Sequence, residues 1–202
     1  IQTFTNGIDT STKGIELSMR YPVELPFGNL DLTLGANYND TKVLKNRLGG
    51  LFNIVAEATV EQASPKFKSV FGALFTSGGF TANARATYYS KTTPLVQPNS
   101  ASTTPRPILG TYYAAEVKPA VIVDLEIGYD FTEFLNVAVG ANNLFNKMPE
   151  IPPLVADYNA ATWPTNGRSP YINNSGSLKA PYNFGPYGTN GGYSYARVAL
   201  KF

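Results

Sequence analysis

Apolar and polar side chains alternate with a period of two over several segments of the chain. In the clearest of them, residues 30–39, every second residue is apolar: Leu30, Leu32, Leu34, Ala36 and Tyr38. A period of two puts the two sets of side chains on opposite faces of an extended strand. The pattern predicts seven strands with one apolar and one polar face, at residues 14–21, 30–39, 69–76, 80–89, 121–129, 135–142 and 193–202.

The connections between these segments alternate in length. The short ones are residues 22–28, 77–79 and 130–134, and the long ones are residues 40–64, 91–118 and 147–192.

Strands of about 8 to 11 residues exceed the usual 5 to 6 of globular proteins and match a tilted crossing of a bilayer.

Several apolar faces end in an aromatic residue. These residues are Tyr21, Tyr38, Phe75, Phe80, Tyr88, Tyr129 and Phe202. Rings at such positions are expected where a barrel wall meets the two membrane–water interfaces. The ordinary preference of aromatic residues for strands is the alternative explanation.

These features predict an all-β protein, an antiparallel transmembrane β-barrel with short periplasmic turns and long extracellular loops. Bacterial barrels have an even number of strands, at least eight. We therefore expect the seven strands to be about the last seven of a larger barrel. Residues 1–202 would form its C-terminal portion, and the remaining strands would lie outside this chain.

Composition narrows the chemistry that the chain can perform. Its 202 residues contain no Cys and no His, and the formal net charge is +2. Without thiolates or imidazoles the usual catalytic triads and zinc sites cannot form, and so small a net charge argues against binding nucleic acid. We therefore expect no enzymatic activity, no metal and no cofactor.

Several segments resemble TonB-dependent outer-membrane receptors. Residues 12–17 (TKGIEL) and 64–68 (SPKFK) are similar to the beginnings of late barrel strands in that family. Residues 123–125 (VDL) with residues 140–149 (GANNLFNKMP) are similar to its penultimate hairpin, and residues 197–202 (RVALKF) to its terminal strand. The resemblance covers nearly the whole chain.

The resemblance implies a receptor of the bacterial outer membrane that binds a scarce nutrient outside and passes it inward with energy relayed by TonB. The ligand would be an iron–siderophore complex, cobalamin or an oligosaccharide. The implied partners are outer-membrane lipid, lipopolysaccharide and the TonB complex, which would be contacted through an N-terminal part, including a plug domain, that this chain lacks. Phe202 resembles the family's terminal signal for membrane insertion.

The resemblance also implies that ligands are gathered by the long connections. Candidate contacts there are Tyr112, Tyr113, Tyr158, Trp163, Arg168 and Tyr171. Aromatic side chains at these positions could stack on a sugar or a chelate. The alternative is that they pack the loops against one another, because long loops need some core of their own.

Two carboxylates, Asp124 and Glu126, share the polar face of one predicted strand. Such a pair could serve as acid and base. The favoured interpretation is a solvated barrel wall, in which they pair with Arg85, Arg197 or Lys201 of other strands.

Two other functions remain open at this point. A passive porin would have a charged constriction and no plug. A secreted β-sandwich that binds carbohydrate would not fractionate with the outer membrane.

Overall fold

The computed structural model describes residues 6–93, 95–96, 113–114, 116–150 and 185–201, and most of them lie in β-strands. Within these ranges the strands are β1 (Ile8–Leu25), β2 (Gly28–Asn46), β3 (Phe67–Ser77), β4 (Phe80–Tyr89), β5 (Leu95–Val96), β6 (Tyr113–Ala114), β7 (Ala120–Thr132), β8 (Leu135–Asn142) and β9 (Tyr193–Leu200). A 3-10 turn (Gly49–Leu51) and one helix, α1 (Ile54–Gln62), lie between β2 and β3. No helix of the described ranges is long and apolar enough to span a membrane.

Seven strands form one antiparallel sheet in the order β1-β2-β3-β4-β7-β8-β9. The small β5–β6 hairpin lies in the connection between β4 and β7. Strands β1 and β9 are the two edges of this sheet, which is open over the residues described. The predicted all-β fold with seven antiparallel strands is confirmed. A β-sandwich needs two packed sheets, so the sandwich alternative is wrong for the described part of the chain.

The strand register carries one apolar face across the whole sheet. For example, Met19 lies opposite Leu34, which lies opposite Phe71. A shift of one residue would move the apolar side chains of a strand to the other face. This face is exposed: Ile15 is 74% and Val198 is 65% accessible. Exposing so much apolar surface to water would be unfavourable, whereas it suits a sheet that faces lipid.

The described residues enclose almost no apolar core. Their buried hydrophobic side chains are Ala58, Val117, Ala120 and Ala138. Stability must therefore come from the hydrogen-bonded ladder, the lipid-facing side chains and the pairs on the polar face.

Strands β1 and β2 are longer than the alternation predicts. They cover 18 and 19 residues, and the predicted break at residues 22–28 is wrong, because the turn between them consists of Pro26 and Phe27 only. Pro22 stays within β1, opposite Asp31. Strand β1 is an edge of the described sheet, where a proline is tolerated.

The first long connection is shorter than residues 40–64, because β2 continues to Asn46 and part of the remainder is helical. Helix α1 begins after Asn53, whose side-chain oxygen accepts hydrogen bonds from the N–H groups of Val55 and Ala56, both at 3.1 Å. Such a cap satisfies donors that the first turn leaves unpaired.

Aromatic side chains cluster at both ends of the apolar face. Near the short turns the ring centroids of Phe27 and Phe75 are 6.0 Å apart, and those of Tyr129 and Phe131 are 5.0 Å apart. Near the long connections, Phe67 lies opposite Tyr38 in register, and its ring centroid is 5.9 Å from that of Tyr88. The two clusters lie at the two ends of the apolar face, where interfacial aromatic belts are expected.

Candidate functional site

Arginine–carboxylate pairs link strands on the polar face of the sheet. Arg20 of β1 donates two hydrogen bonds to Asp31 of β2, both at 3.0 Å. Arg85 of β4 donates two bonds to Oδ2 of Asp124 in β7, at 2.9 and 2.7 Å. Both arginine side chains are more than half exposed, whereas the carboxylates are more protected. Charge-assisted hydrogen bonds between neighbouring strands therefore stabilise the solvated polar face of the sheet.

The second predicted carboxylate, Glu126, is bound from β9 across the intervening strand β8. The Tyr195 hydroxyl donates to its Oε2 and Arg197 to its Oε1, both at 2.8 Å. Gly140 of β8 lies in register between Glu126 and Tyr195. A Cβ atom at Gly140 would come within 2.5 Å of the Tyr195 ring and 2.9 Å of the Leu125 carbonyl oxygen. Glycine at this position is what lets Tyr195 reach over the strand.

These contacts agree with the expectation that the two carboxylates pair with Arg85, Arg197 or Lys201 of other strands: Asp124 pairs with Arg85 and Glu126 with Arg197. Both carboxylates are therefore held by cations, as in the interpretation of a barrel wall. They border a cavity of about 170 Å³, whose polar lining is Asn83, Arg85, Asp124, Glu126, Asn142 and Tyr195. Such a surface offers donors and acceptors to water or to a polar ligand. The described residues contain no group of three or more acidic side chains that could hold a metal ion.

Asn143 organises the end of β8 where the last long connection begins. Its main-chain N–H donates to Oδ1 of Asp124 at 2.8 Å. Its side chain accepts from the Lys147 N–H at 2.8 Å and donates to the Lys147 carbonyl at 2.7 Å. Asn143 and Asn146 both adopt positive φ angles, 49° and 51°, which asparagine tolerates better than most residues. Asn146 in turn accepts the Gly192 N–H at 2.9 Å, which joins the two ends of this connection.

Helix α1 covers the part of β2 that extends beyond its pairing with β3. The Glu61 carboxylate accepts the main-chain N–H of Val43 at 2.7 Å. At the end of the helix, the Gln62 carbonyl accepts the N–H of Thr93, which follows β4, at 3.1 Å. An uncovered strand edge would present unpaired donors and acceptors. The helix thus protects that edge and ties the first long connection to the second.

Ion pairs hold the long-connection ends of β1 and β2. Arg47 donates two hydrogen bonds to Asp9, at 2.8 and 2.6 Å. These bonds lower the pKa of the Asp9 carboxyl below its ordinary value. Lys66 donates to Asp40 and lowers its pKa in the same way. All four groups lie beyond the apolar face, outside the membrane-spanning part of the sheet.

Most of the predicted ligand-binding residues lie outside the described residues: Tyr112, Tyr158, Trp163, Arg168 and Tyr171, together with the predicted insertion residue Phe202. Tyr113 begins β6, and its main chain lies opposite Val96 of β5. The bridge between Thr92 and Val117 continues the β4–β7 pairing towards this hairpin. The second long connection therefore starts and returns at adjacent points above the sheet.

Three side chains have partners that the sequence pattern did not predict: Tyr195, Glu61 and Lys66. A pattern was available for Tyr195, because it shares the polar face of its strand with Arg197. No comparable pattern existed for Glu61 and Lys66, since their partners depend on the path of the first long connection.

Comparison with known proteins gives one family match. A family model described as TonB dependent receptor-like, beta-barrel matches residues 2–144. No curated protein matches the chain.

Three similar solved structures share the fold. The pyoverdine outer membrane receptor FpvA from Pseudomonas aeruginosa, bound to pyoverdine, aligns with a TM-score of 0.59 and 15% identity over 98% of this chain and 22% of that one. The FpvAI–pyocin S2 complex aligns with a TM-score of 0.52 and 21% identity, over 71% of this chain and 17% of that one. The ferripyoverdine receptor of the outer membrane of Pseudomonas aeruginosa, bound to ferripyoverdine, aligns with a TM-score of 0.50 and 20% identity over the same shares, 71% and 17%. The chain thus spans about a fifth of the length of these proteins.

Proposed function

Because the chain belongs to the family of TonB-dependent receptor-like β-barrels, we propose that it forms part of a receptor for active uptake of a scarce nutrient. It is a protein of the bacterial outer membrane. The observation that best supports uptake over a passive porin is the family match. The sheet supports a barrel wall, because it has an exposed apolar face on one side and a hydrogen-bonded polar face on the other. In the whole receptor the polar face would line a wet lumen against a plug domain supplied by the rest of the barrel protein.

The long connections would face the cell exterior and form the ligand mouth. Tyr112, Tyr113, Tyr158, Trp163, Arg168 and Tyr171 are the proposed contacts, since they concentrate rings and a cation in the two later connections. The Asn143 turn and helix α1 would fix the points from which these connections leave the wall. Phe202 would act as the insertion signal, and TonB would couple to the part of the receptor outside this chain.

An iron–siderophore complex is the proposed ligand. Two of the similar structures are named as receptors bound to pyoverdine or ferripyoverdine, and aromatic residues with an arginine suit a bulky, partly anionic chelate. Cobalamin and oligosaccharides are the other ligands to be tested. The binding role rests on non-covalent contacts, and no reaction is assigned to the polar face.

The test is uptake of ferric siderophores labelled with radioactive iron, in iron-starved cells with and without the native-length protein. We expect uptake that needs both this protein and TonB. Trp163→Ala should weaken binding about tenfold, the value of one lost stacking contact, while Trp163→Phe should retain most of it. Uptake that persists without TonB would identify a passive porin. Saturable uptake of cobalamin or an oligosaccharide, and of no chelate, would overturn the choice of ligand.

A further inference from the structure

We propose that Asp124 positions both described ends of the last long connection, and that Arg85 acts on these ends through Asp124. The ends are residues 143–150 and 185–192. The two oxygens of the Asp124 carboxylate have different partners. Oδ2 accepts two hydrogen bonds from Arg85, at 2.9 and 2.7 Å, and Oδ1 accepts the main-chain N–H of Asn143 at 2.8 Å. One side chain thus joins the polar face of the sheet to the start of the connection.

The main-chain N–H of Asn143 needs an acceptor that the strand pairing does not supply. Strand β8 ends at Asn142, and the Leu144 N–H donates to the Val123 carbonyl at 2.7 Å. Between these two points Asn143 has a φ of 49° and is 8% exposed. A buried main-chain N–H without a partner is unfavourable. The Asp124 carboxylate therefore stabilises the conformation in which the chain leaves the strand.

The turn that starts at Asn143 holds both ends of the connection. At the outgoing end, the Asn143 side chain forms two hydrogen bonds with the Lys147 main chain, and the Asn143 carbonyl accepts the Asn146 N–H at 2.8 Å. At the returning end, the Asn146 side chain accepts the Gly192 N–H. A Cβ atom at Gly192 would lie 2.3 Å from the Asn143 carbonyl oxygen, so the returning chain packs directly on the turn. A displacement of Asn143 therefore affects both ends.

Arg85 fixes the orientation of the Asp124 carboxylate. Both of its hydrogen bonds go to Oδ2, and a carboxylate is planar, so a rotation that breaks these bonds also moves Oδ1 away from the Asn143 N–H. Charge-assisted bonds of this kind are roughly twice as strong as neutral ones. The Asp124 side chain is also shielded, with 16% of its surface exposed. Arg85 therefore affects the connection although its hydrogen bonds within the described residues go to Asp124.

A matched control lies two residues along the same strand. Glu126 borders the same cavity as Asp124 and also has two partners, Arg197 and Tyr195. Both of these partners are side chains of β9, and neither is the main chain of the last connection. Loss of Glu126 therefore removes a comparable carboxylate from the sheet but leaves the acceptor of Asn143 in place.

The test is hydrogen exchange of the native-length protein in lipid nanodiscs, measured by mass spectrometry at single-amide resolution. The amides are those of Asn143, Lys147 and Gly192, and the amides of β1 and β2 report on the rest of the sheet. No ligand is present, so the result is independent of nutrient uptake, although the use of this positioning in ligand binding rests on the proposed function. The variants are Asp124→Ala, Asp124→Asn, Arg85→Gln, the double variant Asp124→Ala/Arg85→Gln and the control Glu126→Ala.

We expect Asp124→Ala to raise exchange of the Asn143 amide about 10- to 100-fold, as for a lost hydrogen bond to a charged group. Exchange of the Lys147 and Gly192 amides should rise about three- to tenfold through the turn. Arg85→Gln and Asp124→Asn should each raise exchange of the three amides about threefold, because both keep an acceptor but lose the ion pair. The double variant should exchange like Asp124→Ala alone, and Glu126→Ala should exchange like wild type.

Several outcomes would overturn the proposal. Equal loosening of the three amides by Glu126→Ala would show a general weakening of the sheet. Additive effects in the double variant would show that Arg85 acts by another route. A change confined to the Asn143 amide would show that Asp124 satisfies one N–H and does not position the connection. If Asp124→Ala loses protection throughout β1 and β2, the milder Asp124→Asn and Arg85→Gln decide, and unchanged Lys147 and Gly192 amides in both would refute the proposal.

Discussion

The strand wall and the end with the long connections are stabilised in different ways. In the wall, main-chain groups pair with neighbouring strands, and side chains add cross-strand pairs such as Arg85 with Asp124. At the long-connection end, polar side chains bind main-chain groups directly, as Asn143 does with Lys147 and Glu61 with Val43. The stability of the wall therefore depends on the space between its strands, and the stability of the long-connection end depends on individual polar atoms.

The largest effect is expected from Gly140→Ala in the wall. The new methyl group would meet both the Tyr195 ring and the Leu125 carbonyl oxygen. Displacing side chain and main chain together should cost about 2–3 kcal/mol of the free energy of unfolding. Gly35→Ala in β2 is the matched control, because a Cβ atom there meets nothing within 4 Å. Urea unfolding in lipid vesicles measures both, and equal losses would show that the close approach of Tyr195 is unimportant.

The next largest effect is expected from Asn143→Ala at the end of β8. This change removes two hydrogen bonds to Lys147 from a nearly buried side chain and leaves alanine at a φ of 49°. We expect a loss of about 2 kcal/mol in the free energy of local unfolding. Asn143→Gly should lose about half as much, since glycine accepts positive φ. Hydrogen exchange of the Lys147 amide reports the effect, and identical results for the two variants would mean that φ contributes nothing.

The sequence predicts the wall better than the end for a physical reason. Where one face meets lipid and the other meets water, alternation is enforced residue by residue, and the bounds of β4 and β8 coincide with the predicted segments 80–89 and 135–142. Beyond the lipid both faces are polar, so the pattern disappears although the β1–β2 pairing continues to Asn46.

In the candidate site, too, the contacts on the strands were predictable and those that depend on the loops were not. The partners of Asp124 and Glu126 were predictable, because a charge on a polar strand face has few neighbours to choose from. Helix α1 was not predicted: its sequence IVAEATVEQ is rich in β-branched residues, and its position depends on the contact of Glu61 with Val43. The ligand contacts proposed in the later connections depend on loop paths that alternation does not determine.

A smaller, local effect is expected from Glu61→Ala. The Val43 N–H would lose its acceptor, which should raise hydrogen exchange at this amide about fivefold, the equivalent of one hydrogen bond of about one kcal/mol. Glu61→Gln keeps an acceptor oxygen and should restore most of the protection. Glu57→Ala, in the first turn of the same helix, is the control for losing a carboxylate. If Glu57→Ala exposes Val43 equally, helix stability, and not the contact with Val43, is responsible.

The smallest effect is expected from acidification at the Asp9–Arg47 pair. The hydrogen bonds from Arg47 lower the pKa of Asp9 in the folded protein. A carboxyl with a lowered folded pKa stabilises the fold above its unfolded pKa, and this contribution is lost as the pH falls through the folded pKa. The Arg47 amide donates to the Gly7 carbonyl at 2.9 Å. Relative to Asp9→Asn, and after correction for intrinsic rates, exchange of this amide should gain protection as the pH rises from below the folded pKa of Asp9 to above the ordinary carboxyl value of 3.8. Because the pair is exposed, hydrogen-exchange protection in the strand wall should not change with pH in the same way. If protection of the wall falls with pH in the wild type but not in Asp9→Asn, the two regions are coupled.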